Sequence, residues 1–356
     1  MNFPLKQQAL LPNALNKTAD FIRANQKYDG AIPWQAHDKL DPWDHCEAAM
    51  ALSVAGYWQE AELAYDWLAQ HQSHEGFWHA AYFFEETSKE KKASAASARE
   101  LCETNFIAYI ATGVWQHYLI TGNIDFLSRL FPVIERAINC VLRFQHCEGD
   151  IAWAFNLRGQ AESDSLFTAY CSILRSLEHA ILSAQKLGKE TEKWRSAWYK
   201  LHRCILTKPS RFDRTWESKA RFAMDWYYPI LGGAYSAREA KSRIESRWQE
   251  FVVDKLGCRC VNDEPWITVA ETCELIIALV AANDRAKAQK MFELVHQWQD
   301  KDGGYWTGYV FRDRVIWPEE KTSWTAAAVI LAADALGNIS PAARIFTTPS
   351  VLLETL

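Results

Sequence analysis

Four related phrases, spaced irregularly along the chain, constrain the fold more than any other feature of the sequence. Each phrase has a glutamine, a glycine four residues later and then a tryptophan; the four are Gln26 to Trp34, Gln72 to Trp78, Gln145 to Trp153 and Gln299 to Trp306. Each phrase leads into a helix start that carries acid or amide groups. Internal repetition of this kind indicates stacked helical hairpins.

Helical periodicity dominates between these phrases, and the alternation typical of strands is hard to find. The pattern predicts twelve helices, which pair into six hairpins. The predicted ranges are Leu15 to Gln26, Trp43 to Ala55, Trp58 to Gln72, Thr104 to Ile120, Asp125 to Phe144, Ser165 to Leu187, Glu190 to Leu206, Asp225 to Leu231, Ala237 to Val253, Ile267 to Ala282, Arg285 to Gln299 and Ser323 to Leu336.

The links between the predicted helices alternate in character. Those after Ala55 and Ile120 are short and contain glycine, a natural helix stop. The others are long and rich in Gly, Trp and Tyr. This alternation predicts a helical ring with one elaborated end, in a single domain over residues 1–356. At that end we expect Trp43, Glu103, Asp225, Glu271 and Trp324.

Composition excludes several classes of protein. The chain is 49% hydrophobic, and no apolar run reaches the roughly 18 residues that span a membrane. The net charge of -5 and the absence of a Lys/Arg block argue against a nucleic-acid partner. Met1 to Asn16 lacks a basic start followed by an apolar core, so we expect no signal peptide and a cytoplasmic location.

Cysteine and tryptophan usage adds two expectations. The nine cysteines are scattered, and Cys258 with Cys260 forms one Cys-x-Cys without a second pair at zinc-site spacing. We therefore expect reduced thiols, no metal site and no cofactor. The 17 tryptophans are typical of a cleft that binds sugar rings or hydrocarbon chains.

The pattern resembles the six-hairpin toroid superfamily over nearly the whole chain. That superfamily has an all-α (α/α)6 toroid of twelve helices in two concentric rings. The glutamine–glycine–tryptophan turns resemble the repeat of squalene cyclases and protein prenyltransferases, and the chain resembles a bacterial group labelled prenyltransferase-like. The competing branch is the six-hairpin glycosidases, including glucoamylase relatives. In that branch the catalytic acids lie in loops leading into inner helices.

The first branch, of squalene cyclases and prenyltransferases, acts on isoprenoids, and this sequence lacks the reacting groups of that branch. No Asp-x-Asp-Asp or Asp-Asp-x-x-Asp motif is present, and no cluster of basic residues could bind a diphosphate. Asp44-His45-Cys46 matches the first half of the prenyltransferase zinc site, but it lies in the wrong part of the chain. A prenyltransferase-like or terpene-cyclase-like enzyme therefore stays an alternative.

The glycosidase branch needs two carboxyls, a proton donor and a base or nucleophile. The resemblance implies that Glu320, before the last inner helix, is the base, with Glu319 in reserve; both acids would also suit that helix N-terminus. Glu271 and Glu274 share a face of an otherwise apolar helix, so at least one should face a polar lumen. Glu271 or Asp225 is our candidate donor, because apolar walls raise a carboxyl pKa.

Further candidates would bind the sugar. Trp43 and Asp44 loosely resemble a sugar-gripping phrase, although the arginine expected beside the aspartate is absent. Glu103, Asn105 and Asp164 would bind hydroxyls. The remaining candidates are Trp226, Tyr227, Trp306, Trp317, Glu319 and Trp324.

The leading hypothesis is a metal-independent glycoside hydrolase acting on an oligosaccharide or glycoconjugate, whose activity survives EDTA. The resemblance to glucoamylase implies inversion, with the two carboxyls roughly 6.5–9.5 Å apart. A non-catalytic sugar-binding toroid is a third possibility beside the isoprenoid enzyme. Sugar epimerases of the same shape, which use histidines, are a minor option.

Overall fold

The computed structural model describes residues 13–84, 97–98 and 100–355. Its α-helices are α1 (Asn13–Asn25), α2 (Pro42–Val54), α3 (Trp58–His71), α4 (Thr104–Ala108), α5 (Ile110–Thr121), α6 (Ile124–Leu142), α7 (Phe167–Lys186), α8 (Glu192–Thr207), α9 (Ala223–Leu231), α10 (Ala237–Phe251), α11 (Val269–Ala281), α12 (Arg285–Val295) and α13 (Ser323–Gly337). Short 3-10 turns cover Pro209–Arg211, Lys219–Arg221, His296–Trp298 and Val351–Thr355. Because α4 and α5 follow each other across Tyr109, these helices fill the twelve predicted places.

The helices form two concentric rings. The inner ring runs α2, α4/α5, α7, α9, α11 and α13; each helix contacts the next, and α13 packs against α2 to close the circle. The outer helices α1, α3, α6, α8, α10 and α12 each pack on an inner helix. The predicted all-α (α/α)6 toroid is therefore confirmed.

Side-chain burial explains which helices lie inside. From Ser323 to Leu336, α13 is buried at every position except the half-buried Trp324. The outer helix α10 buries only Ala240, Ile244 and Phe251. A helix that is apolar all round has to lie in the interior, whereas one with a single apolar stripe lies at the surface.

The repeated phrases fasten four of the six outer helices to the outer helix that follows in the ring. Gln72 follows α3, and its side-chain amide donates to the Gly76 carbonyl at 3.2 Å and to the Val133 carbonyl of α6 at 2.9 Å. The same pair of bonds joins Gln26 to Gly30 and Glu60, and Gln145 to Gly149 and Ala197. Gln299 reaches the Thr18 hydroxyl of α1 at 3.2 Å. The fourth phrase thus closes the outer ring.

The glycine of each phrase is required by both backbone angle and space. Gly149 has φ 108°, and a Cβ there would lie 2.3 Å from the Lys200 carbonyl oxygen. The corresponding glycines 30, 76 and 303 also have positive φ, and a Cβ at each would lie within 2.4 Å of a backbone carbonyl oxygen. Only glycine combines this backbone conformation with such a close approach.

We expect Gly149→Ala to lower the free energy of unfolding by about 2–4 kcal/mol, because it adds both backbone strain and a backbone clash. Gly122→Ala is the matched control. Gly122 also has a positive φ, 66°, but a Cβ built there has no atom within 4 Å. The free energy of unfolding of that control should fall by only about 1–2 kcal/mol. Urea unfolding measures both; equal losses would refute the close-approach argument.

Short strands lie at the end of the ring at which the inner helices begin. They are β1 (Lys39–Leu40), β2 (Tyr82–Phe83), β3 (Leu101–Glu103), β4 (Ala154–Asn156), β5 (Val252–Val253), β6 (Gly257–Arg259), β7 (Trp266–Thr268), β8 (Gly308–Val310) and β9 (Val315–Ile316). β1 pairs with β2, β3 with β4, and β5 to β9 form one antiparallel five-stranded sheet in sequence order.

The sheet corrects one predicted boundary. The helix expected from Ile267 begins at Val269, because Ile267 and Thr268 belong to β7. The strands escaped prediction since they are two or three residues long, too short to show alternation.

The C-terminal segment covers the opposite end of the ring. The Arg175 guanidinium of α7 donates to the carbonyls of Leu231 and Thr348, and Glu178 accepts from the Val351 amide. Arg175 and Glu178 also form a buried ion pair at 2.8 Å. This network holds the segment against the inner helices far from the long loops.

Candidate active site

A cavity of about 810 Å³ opens among the long loops at the N-terminal ends of the inner helices. All six inner places of the ring contribute to its wall, through residues such as Trp43, Asn105, Thr168, Met224, Glu271 and Trp324. Helix N-termini carry partial positive charge, which favours acidic side chains there. The carboxyls of the described residues that line the cavity are Asp41, Asp44, Glu47, Glu103, Glu271 and Glu274.

The start of α2 supplies three of these acids. Asp41 caps the helix by accepting from the Asp44 amide at 2.9 Å, and its other oxygen accepts from the Trp34 indole at 2.8 Å. Pro42 occupies the first turn, where its missing N–H is not needed. The first turn therefore holds Asp44 rigidly at the cavity wall.

Asp44 is placed so that it retains a proton. Burial raises its pKa well above the ordinary value, and the nearby charges of Asp41 and Glu47 raise it further. Lys39 opposes this shift only weakly. A carboxyl whose pKa is raised holds its proton to higher pH, which suits it to donate that proton.

Glu47 of α2 and Glu274 of α11 form the floor of the cavity. Glu47 accepts from the Trp43 indole at 2.7 Å and the Tyr109 hydroxyl at 3.0 Å, and burial raises its pKa to about 7. Glu274 accepts from the Tyr227 and Tyr228 hydroxyls at 2.5 and 2.7 Å. Burial and the charge of Glu47 raise the Glu274 pKa well above its usual range. Both carboxyls are fixed by aromatic donors.

Glu271 has a buried oxygen without a partner in the part of the chain that the structure describes. The Cys260 thiol lies near its carboxyl, and Oε2 is buried and has no hydrogen-bond partner among the described residues. Asn105 Oδ1 and the Trp324 indole nitrogen, which belong to two other inner helices, are unpartnered in the same way. Buried polar atoms are normally satisfied, so this convergence points to a polar ligand.

Much of the rest of the wall is aromatic or apolar, and its other polar residues are Lys39, Ser97, Thr168 and Lys219. Trp43 stacks on Tyr109 at 4.9 Å, and Trp34 meets Trp324 edge-on at 5.8 Å. The wall also contains Ala80, Ala81, Phe83, Ala98, Phe106, Ala169, Phe222, Met224, Ala270 and Ala328. Flat indole faces beside fixed carboxyls suit the alternating apolar and hydroxyl surfaces of a sugar ring.

The raised pKa values predict how stability changes with pH. Burial raises the pKa of Glu47 and of Glu103 from 4.5 to about 7. The folded state therefore binds these protons more tightly than the unfolded state, and stability is lost as the pH rises through about 7. We expect the Tm of the wild type to fall as the pH rises from 4.5 to about 7, and the Tm of the double variant E47Q/E103Q to fall less. An unchanged slope in that variant, measured by scanning calorimetry, would refute the assignment.

The structure brings six of the sequence-predicted site residues to the cavity. These are Trp43, Asp44, Glu103, Asn105, Glu271 and Trp324. All six lie in the first turns of inner helices or directly before them. The expectation that Trp43, Glu103, Glu271 and Trp324 share one end agrees with their positions.

Glu319, Glu320 and Asp225 do not line the cavity. Glu319 is exposed; Glu320 is half-buried and receives a 3.4 Å hydrogen bond from Gln35. Asp225 lies at the same end of the ring and is 9% exposed, and burial raises its pKa to about 6. On α9 the cavity-facing positions begin at Met224, so the next residue points about 100° away.

The other predicted sugar contacts have different surroundings. Asp164 is buried in a turn, where it accepts from the Thr215 amide and hydroxyl. Trp226 stacks on Phe251 of α10 at 5.1 Å, and Tyr227 supports Glu274 from behind. Trp306 lies under the Lys321 ammonium, and Trp317 is 55% exposed on the five-stranded sheet.

Sequence reasoning missed Asp41 and Glu47 and did not choose Glu274 as a site residue. The signal for Glu47 was present, since a charged residue interrupts an otherwise apolar inner helix. The same argument had already singled out Glu271 and Glu274. In the described ranges, no three His, Cys, Asp or Glu side chains are grouped as a metal site, and no helix is long and apolar enough to cross a membrane.

Comparison with known proteins identifies the class. The sequence is 42% identical over 337 residues to the MMP endo-(1,4)-3-O-methyl-α-D-mannosidase of Mycolicibacterium hassiacum, covering 95% of this chain and 90% of that protein. No protein-family model matches the sequence.

Solved structures of low sequence identity share the fold. A glycosidase variant in complex with glucose has a TM-score of 0.69 at 14% identity, covering 94% of this chain and 99% of that chain. The GH63 mannosylglycerate hydrolase of Thermus thermophilus has a TM-score of 0.64 at 11% identity, covering 90% and 99%. Cellobiose 2-epimerase of Bacillus thermoamylovorans has a TM-score of 0.63 at 12% identity, covering 92% and 99%.

The toroid is the fold of the six-hairpin glycosidases, and the 42% identical mannosidase shows that this chain is a glycoside hydrolase, which confirms the glycosidase branch of the resemblance. Within that class, the chain belongs to the family of the Mycolicibacterium hassiacum mannosidase.

Proposed function

We propose that this protein is an endo-acting hydrolase that cuts α-(1,4) linkages between 3-O-methylmannose units of a methylmannose polysaccharide. The name of the 42% identical relative suggests this substrate. The observation that carries the proposal is the composition of the cavity wall, where fixed carboxyls alternate with alanines and aromatic rings.

The apolar part of this wall favours methylated sugars. A hydroxyl buried against alanine or phenylalanine loses hydrogen bonds to water without replacement, which costs about 1–3 kcal/mol in proteins. A methyl ether at the same place has no donor to satisfy and buries apolar surface, worth about 0.8 kcal/mol per CH₂. The alanines also leave room for the added group.

We assign the proton donor to Asp44 and the base or nucleophile to Glu271. The raised pKa of Asp44 keeps a proton available for the departing glycosidic oxygen. Glu271 has an unpartnered oxygen, ready to activate water or to attack the sugar. The two residues open different inner helices, α2 and α11, so a sugar in the cavity would lie between them.

Glu47 and Glu274 have a supporting role in this proposal. Each carboxyl accepts two hydrogen bonds from aromatic side chains, which fixes its position. Such rigid acceptors would orient sugar hydroxyls at the floor of the cavity. The charge of Glu47 also raises the pKa of Asp44.

Paired oligosaccharides that differ only in methylation test the proposal. The substrates are α-(1,4)-linked mannose oligosaccharides of one length, with and without 3-O-methyl groups, and mass spectrometry follows the products. We expect internal cleavage of the methylated chain, at a kcat/KM at least tenfold above that of the unmethylated chain. Equal rates, release of single terminal sugars only, or no cleavage would refute it.

Metal independence is part of the proposal. The assigned groups carry out acid–base chemistry alone, so we expect turnover of the methylated oligosaccharide to be unchanged after dialysis against EDTA. A control dialysis without chelator corrects for losses in handling. Activity that disappears with EDTA and returns with a divalent cation would contradict the assigned mechanism.

A further inference from the structure

One face of the five-stranded sheet carries an apolar stripe. Directly paired residues of an antiparallel sheet share a face, and residues two apart along a strand do so as well. Trp266 pairs with Val310, and Val310 pairs with Val315. Trp317 follows Val315 by two residues, and its amide bonds to the Gly308 carbonyl at 3.0 Å. Trp266, Val310, Val315 and Trp317 therefore form one stripe across β7, β8 and β9.

The stripe is rigid and faces outward. Trp317 is 55% exposed and Val315 48% exposed, whereas Trp266 and Val310 are half-buried. The two indoles meet edge-on at 5.2 Å, and the Trp266 indole nitrogen donates to the Trp317 carbonyl at 2.9 Å. On the opposite face Ile267 is fully buried, and Tyr309 packs against Trp298 at 4.8 Å.

The stripe is continuous with the candidate active site. Strand β7 runs directly into α11, so Trp266 lies five residues before Glu271, a path of roughly 10–15 Å along the backbone. Cys258 pairs with Thr268 on the face that carries Trp266, and Cys260 follows on the same face. Since the Cys260 thiol reaches the Glu271 carboxyl, that face meets the cavity wall.

We infer that this stripe binds polysaccharide units beyond those held in the cavity, and the inference rests on the proposed function. The occupant is the 3-O-methylmannose chain itself, because the strand that carries Trp266 leads directly into the helix whose Glu271 lines the cavity. Indole rings pack against the apolar faces of sugars, and methyl ethers add further apolar surface for Val310 and Val315.

Substrate length separates this role from catalysis. Trp317→Ala is compared with Trp58→Ala, a 39% exposed tryptophan that starts α3 after the short link from α2. Each variant and the wild type receive two methylated substrates, a short oligosaccharide that fits the cavity and the polysaccharide. We expect W317A to raise the KM for the polysaccharide about five- to tenfold, with kcat unchanged and the short substrate unaffected. W58A should match the wild type on both.

Each other outcome overturns the inference. W317A could leave polysaccharide kinetics unchanged, or could impair both substrates equally, which would indicate a structural effect visible as a lower Tm. A change of oligomeric state in W317A, seen by analytical ultracentrifugation, would mean that a second copy covers the stripe. Wild-type cleavage of both substrates upholds the proposed function in all of these cases. Wild-type inactivity on both substrates overturns the proposed function and, with it, this inference.

Discussion

Glu271→Gln is expected to lower kcat on the methylated oligosaccharide by about 10²–10⁴-fold, the usual contribution of a general base or nucleophilic carboxylate. The substitution is nearly isosteric, and the amide oxygen can still accept a hydrogen bond. Stability should therefore change little, since the altered atom faces the cavity. Steady-state kinetics and a thermal melt measure the two effects separately.

Glu320→Gln is the matched control for this variant. It makes the same chemical change before another inner helix, but Glu320 does not line the cavity and contacts Gln35 instead. We expect near-normal turnover from it. If Glu320→Gln lost most of the rate and Glu271→Gln kept it, the base assignment from the glucoamylase resemblance would stand and ours would fall.

Asp44→Asn is expected to abolish the proton-donor step, with a loss of about 10²–10⁴-fold in kcat. It should also raise stability at alkaline pH. Because the folded state raises the Asp44 pKa, the stabilising proton is fully bound below the unfolded pKa and is lost as pH rises through the folded value. Once the pH exceeds the folded pKa, the wild type buries a charge that the asparagine variant lacks. Melts over a series of rising pH values test the stability effect, and kinetics at pH 7 test the loss of rate.

Glu47→Gln provides a second check on Asp44. The variant keeps both aromatic hydrogen bonds through its amide oxygen but removes one charge that raises the Asp44 pKa. The alkaline limb of the kcat/KM profile should then move to lower pH. An alkaline limb that stays in place, or an active Asp44→Asn enzyme, would show that another group donates the proton.

The ring could be predicted from the sequence because its determinants are local and repeated. Each phrase contains its own glutamine clamp and its own positive-φ glycine, and each fastens one outer helix to the next. The inner helices are mostly apolar and buried nearly all round, as α13 is, and the outer ones are apolar on one side. Those patterns require only neighbouring residues, so they are visible without three-dimensional information.

Which acids line the cavity depends on the orientation of their side chains, and the sequence does not contain that orientation. Asp225 and Met224 are adjacent, yet only Met224 faces the cavity because one residue turns an α-helix by about 100°. Glu320 was expected at the cavity because it precedes an inner helix, but its loop holds it against Gln35. Glu271 was found correctly as a cavity residue, because a carboxyl on an apolar inner helix has only the lumen to face.

A crystal structure of the Glu271→Gln variant with a 3-O-methylmannose oligosaccharide tests the central claim most directly. We predict a chain bound across the cavity, with one internal glycosidic oxygen within about 2.6–3.2 Å of the Asp44 carboxyl and position 271 beside the same sugar. A chain that binds away from Asp44, or that presents its glycosidic bond to Glu319 or Glu320, would contradict the account.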